Sequence, residues 1–239
     1  MKGIRELDLT GFAATEEDGV WQNAAGVRLG VDFQEVTPTL THWLENEEEL
    51  LKGVVVRLLA QGRATIECWI DYPGTLPALF VMYKQHQTAE RGRVYLAGYH
   101  VPRATCSLTI HLWAVEQIED IGRREEVGNR LMPAPHVYVP NRKMPILKMS
   151  DGSLMSYDYA DSHAVDELFP DHALTRLRAA LRQVFPSVCF EEWFTALPAY
   201  AGSPSASGGE MANLPHTDAT TFGRLAEDGQ MPVLGVGEV

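Results

Sequence analysis

Ala64-Thr65-Ile66-Glu67-Cys68-Trp69-Ile70, Ala78-Leu79-Phe80-Val81-Met82-Tyr83-Lys84, Val94-Tyr95-Leu96-Ala97-Gly98-Tyr99-His100-Val101 and Thr105-Cys106-Ser107-Leu108-Thr109-Ile110-His111-Leu112-Trp113-Ala114-Val115 follow one another closely and read as four strands. Each is rich in aromatic and β-branched residues, which suit a pleated, packed surface. The breaks between them carry turn chemistry: Tyr72-Pro73-Gly74-Thr75-Leu76-Pro77, Thr88 to Arg93 around Gly92, and Pro102-Arg103. Connections this short join antiparallel neighbours, because a parallel crossover needs about a dozen residues or more. The stretch from Val54 to Val115 therefore predicts an antiparallel β-meander.

Working outward, Val20 to Val36 predicts a hairpin that turns at Asn23-Ala24-Ala25-Gly26. In its second arm Val27, Leu29, Val31 and Phe33 alternate with Arg28, Gly30, Asp32 and Gln34, the pattern of a half-buried strand. Ile4 to Leu9 reads as a first strand and Thr10 to Gly19 as a polar loop. Thr39 to Leu59 turns helical: Leu40, Trp43, Leu44, Leu50, Leu51 and Val54 share a stripe, and the run of glutamates faces out. Gly53 is expected to end that helix before a β-rich Val54-Val55-Val56.

Beyond the meander, Glu116 to Arg130 reads as an exposed loop or short helix. Pro133, Pro135, Pro140 and Pro145 then predict an extended connection. Ser162 is placed to cap a helix over Ala164 to Phe169, and Asp171 to cap a second over His172 to Phe185. In the second, Leu174, Leu177, Leu181 and Val184 form the apolar stripe, with Arg176, Arg178 and Arg182 expected elsewhere. Phe190, Trp193 and Phe194 form a last apolar anchor. From Ala199 onward glycine, serine, alanine, proline and acids dominate, which predicts a disordered tail. The expected organisation is α+β: one domain over residues 1–198, an antiparallel meander sheet with a few amphipathic helices, and the tail over 199–239.

The apolar fraction of 45% excludes global disorder. A net charge of −12 opposes general nucleic-acid binding, since most of the surface would repel a phosphate backbone. Residues 1–60 hold eleven acids against five bases, whereas 61–130 balance at eight each, so an anionic partner would meet the sheet region. The amino terminus lacks the apolar core of a secretory signal, and no run reaches the roughly 18 apolar residues of a membrane helix. Three isolated cysteines with no C-x-x-C spacing suggest a reducing, cytoplasmic setting.

No G-x-S-x-G, H-E-x-x-H, glycine-rich phosphate loop or paired-cysteine zinc set occurs. A thiolate–imidazole pair of Cys106 with His111 is opposed by strand parity, since Cys106 shares a face with Leu108, Ile110 and Leu112. His86, His100 and His111 could meet across strands, but no ligand spacing points to a metal, and neither cofactor nor metal is expected. Lys84, Arg91, Arg93 and Arg103, with His100, form the candidate partner-binding set near the turns of the meander.

Taken together, Trp21, Gly26-Val27 and Phe33, the short acidic helix, Gly98-Tyr99-His100-Val101-Pro102 and Phe169-Pro170-Asp171-His172-Ala173-Leu174-Thr175-Arg176-Leu177-Arg178 resemble an uncharacterised family of bacterial cytosolic proteins. The pattern is similar to the PsbP/Mog1-like α+β sandwich over about residues 15–185. That resemblance implies a fold chiefly used to bind other macromolecules. Three functions remain open. The first is a non-enzymatic protein-binding or accessory module, such as an immunity or adaptor protein. The second is an enzyme with a dispersed site using Glu67, His100 or Asp171. The third is a structural component that pairs through a sheet edge. The missing catalytic set and the acidic composition favour the first.

Overall fold

Residues 1–40, 42–86, 92–116, 122–131, 146–148, 154–156 and 159–202 are described in the computed structural model. The four quoted runs form strands at Arg63–Asp71 (β5), Ala78–His86 (β6), Arg93–Pro102 (β7) and Ser107–Glu116 (β8), each antiparallel to the next. The hairpin of Val20–Asn23 (β3) and Arg28–Gln34 (β4) adds to the far side of β8, and the whole of β4 pairs with it in register. Phe12–Ala14 (β2) forms that edge, within the stretch expected to be a polar loop. On the opposite side Leu154–Ser156 (β10) pairs with β5, and Ile146–Lys148 (β9) pairs with β10. The sheet therefore runs β2-β3-β4-β8-β7-β6-β5-β10-β9. A separate two-stranded ribbon joins Ile4–Glu6 (β1) to Cys189–Phe190 (β11).

Both faces of the sheet are covered. On the front, Met82, Tyr95, Leu108, Ile110 and Leu112 pack with Leu174, Leu177 and Val184 of the helix Ala173–Val184 (α3). On the back, Tyr83, Val94, Leu96 and Trp113 pack with Leu51, Val54, Val55 and Leu58 of the helix Glu47–Ala60 (α1), alongside Trp43. Strand β7 is accordingly buried along nearly all its length, as a strand with cover on both sides must be.

Several expectations are corrected. The first helix begins only at Glu47, where the Asn46 side chain accepts the Glu49 N–H, and it continues through Gly53 and Val54-Val55-Val56 to Ala60. Burial of its stripe against the back of the sheet outweighs the weak helix propensity of valine. The cap of α3 is His172 rather than Asp171: its Nδ1 accepts the Leu174 N–H at 3.1 Å. Ser162 caps as expected, but the turn it opens, His163–Leu168, is a 3₁₀ helix. The extended connection over 131–150 lies largely outside the described residues, as does the tail beyond Gly202.

The start of the expected tail is docked. Tyr200 is buried, and its hydroxyl accepts the Leu40 N–H at 2.9 Å and donates to the Leu40 carbonyl at 3.0 Å. Tyr200→Phe should cost about 2 kcal/mol, because both backbone groups of Leu40 lose a partner inside the protein. Urea unfolding measures this; a loss below about 0.5 kcal/mol would mean that the contact is unimportant.

Candidate functional site

Strand β5 carries the site. A bulge between Thr65 and Glu67 resets its alternation: Thr65 sits opposite Tyr83 of the back face, and Glu67 opposite Met82 of the front. From there Glu67, Trp69 and Asp71 share the front, forming an acid–aromatic–acid row. The opposing wall is the carboxyl-terminal half of α3, with Arg178, Leu181 and Arg182, followed by Phe185. Between the walls lies a cleft of about 540 Å³. Its floor is aromatic: Trp69 stacks on Phe80 at 3.9 Å between ring centres, and Tyr99 on Phe185 at 4.2 Å. Tyr72, 60% exposed, stands at the rim.

The inner end of the cleft is ionic, and its charges are paired with one another. Arg178 donates to both carboxylate oxygens of Asp166, to Glu67 Oε1 at 2.7 Å and to the Asp161 carbonyl. Arg124, on the helix Arg123–Leu131 (α2), reaches Asp166 at 2.6 Å, and His163 reaches Glu67 at 3.2 Å. Burial pushes the Glu67 carboxyl up, but the His163 hydrogen bond and the Arg178 charge outweigh it and hold the group below its ordinary range. At the outer end Tyr99 donates its hydroxyl to Asp71; burial first, and then that carboxylate, pushes the phenol up.

A second buried array lies under the amino end of α3. His172 Nδ1 accepts a backbone N–H, so its proton sits on Nε2 and is donated to Glu116 at 2.9 Å. Tyr95 and Arg93 complete that cluster, and Lys84 pairs with Asp161 at 2.7 Å.

The structure distributes the candidate partner-binding set. Lys84 and Arg93 lie inside the front-face arrays, buried by their counter-ions. Arg103 is buried and donates to the Thr195 carbonyl. His100 is on the back face with Nδ1 3.1 Å from Thr109, and Arg91 lies outside the described residues. Lys84 and Arg93 thus add no open positive surface, because their long side chains follow buried carboxylates inward. Glu67, His100 and Asp171 do not meet either: Glu67 faces the front, His100 the back, and Asp171 is exposed beyond α3. Cys106 is buried in the front core, with its thiol pushed up by burial. Among the described residues, no three His, Cys, Asp or Glu side chains cluster closely enough to hold a metal ion. Also among those residues, no helix is long and apolar enough to cross a membrane.

Sequence reasoning missed Arg178, Asp71 and Tyr99. A signal for Arg178 was present, since Leu174, Leu177, Arg178 and Leu181 fall at i, i+3, i+4 and i+7, which places the arginine on the buried stripe. No family model, curated protein or solved structure matches the chain.

Proposed function

We propose that this chain is a non-enzymatic binding module, an adaptor or accessory protein that holds part of another protein in the cleft between β5 and α3. One observation carries the reading: the charged groups at the inner end are paired with one another, while Trp69 and Tyr72 keep aromatic surface open above an apolar floor. Preset ion pairs give a rigid wall, and open aromatic surface is what binding sites use as anchors. A bacterial cytoplasmic setting and an immunity or adaptor role belong to the same reading, supported by the acidic sequence and the free cysteines.

The test uses the full chain as bait in an extract. Proteins retained by the wild type should be lost with Tyr72→Glu, which places a charge at the rim. They should be kept with Val56→Glu, an equally disruptive change at an exposed position of α1. Melting temperatures near wild type in both variants exclude misfolding. Retention unchanged by Tyr72→Glu would exclude the cleft.

A further inference from the structure

Among the described residues, each wall of the cleft holds a charge without a counter-ion. On β5, Asp71 accepts hydrogen bonds from the Tyr99 hydroxyl and the Tyr72 N–H, but no cation pairs with it among the described residues. On α3, Arg182 is exposed and has no carboxylate within ion-pair distance among the described residues. Glu67, past Trp69 on β5, and Arg178, one helical turn before Arg182 on α3, are committed to each other at 2.7 Å. The cleft thus carries a half-buried carboxylate on β5, an exposed guanidinium on α3, and Trp69 beside Asp71 on the β5 wall, stacked on Phe80.

We infer that the occupant is a short segment of the partner protein in which a bulky apolar side chain is flanked by one basic and one acidic side chain. The basic group meets Asp71, the acidic group meets Arg182, and the apolar side chain lies on Trp69. This rests on the binding reading above and specifies what is bound. A wholly apolar occupant would strip water from Asp71 and Arg182 without replacing it, which penalises that alternative. A uniformly charged occupant would meet like charge on one wall.

The probes are two acetylated, amidated pentapeptides, Lys-Ala-Phe-Ala-Glu and its uncharged counterpart Gln-Ala-Phe-Ala-Gln. Each is titrated into the full chain and followed by amide chemical shifts. The charged peptide should bind several-fold more tightly, up to about tenfold, the sum of two partly screened ion pairs. Asp71→Asn and Arg182→Ala should each weaken the charged peptide toward the affinity that the wild type has for the uncharged one. Equal affinity of the two peptides, insensitivity to both variants, or binding of free phenylalanine but neither peptide would overturn the inference. Failure of both peptides, together with loss of retained proteins in Tyr72→Glu, overturns it and leaves the binding reading standing. Retention unaffected by Tyr72→Glu removes the reading itself.

Discussion

Ile110→Asp is expected to remove about 4 kcal/mol or more of stability, whereas Thr109→Asp, one residue away, should cost far less. Ile110 is fully buried on the front face among the residues that α3 covers. A carboxylate there has no cation to meet, so it ionises at a cost of about 4 kcal/mol or more, or protonates at somewhat less. Against a total stability of about 5–15 kcal/mol for a typical domain, that is a large fraction. Thr109 points to the back face, is half-buried, and lies beside the His100 imidazole. An aspartate there gains a neighbour that can protonate, although Asp32 stands opposite on β4 and opposes it. The gap between the two variants in urea unfolding should exceed about 2 kcal/mol. Equal losses would mean that the strand's alternation is wrong.

The second large effect is acid lability from the back face. His111 is buried between two glycines: a Cβ on Gly30 would sit 2.6 Å from its Nε2, and one on Gly98 3.1 Å from its Cβ. It stacks on Trp113 at 5.3 Å. His100 is half-buried as a residue, but its Nε2 is enclosed with no hydrogen-bond partner among the described residues. Burial alone pushes both imidazoles down to about 4. Folded values below the unfolded one mean that the neutral rings stabilise the fold fully above about pH 6.5. That contribution drains as pH falls toward 4, by up to about 3 kcal/mol for each ring. Asp32, whose carboxyl burial pushes up, acts with the opposite sign and offsets a part. Glu67, held low, loses its contribution over a lower range and adds to the decline. Unfolding free energy measured from pH 7 to pH 4.5 should therefore fall steeply, and His111→Gln should flatten the curve. A flat profile, or one that His111→Gln leaves unchanged, would remove burial of these rings as the cause.

Local chemistry was legible in the sequence. The turns at Pro73-Gly74 and Pro102-Arg103 and the parity of Leu108, Ile110 and Leu112 led directly to β5 to β8. The α3 stripe and the Ser162 cap were equally plain, because both depend on residues three or four apart. What the sequence could not show was the partner of each surface. That β4 joins β8 rather than β5, and that α1 covers the back, are choices between surfaces distant in the chain. Those contacts also kept Val54-Val55-Val56 in a helix and carried Tyr200 onto Leu40. For the cleft the division is the same. The chain order determines that Glu67, Trp69 and Asp71 can alternate on one strand and that Arg178 lies on a buried stripe. Only the tertiary structure decides that a one-residue bulge turns Glu67 to the front, that Arg178 meets it there, and that Asp71 and Arg182 line the same cleft, neither with an ion-pair partner among the described residues. Strand alternation and helix periodicity set which way a side chain points, but what it meets depends on elements packed from more than a hundred residues away.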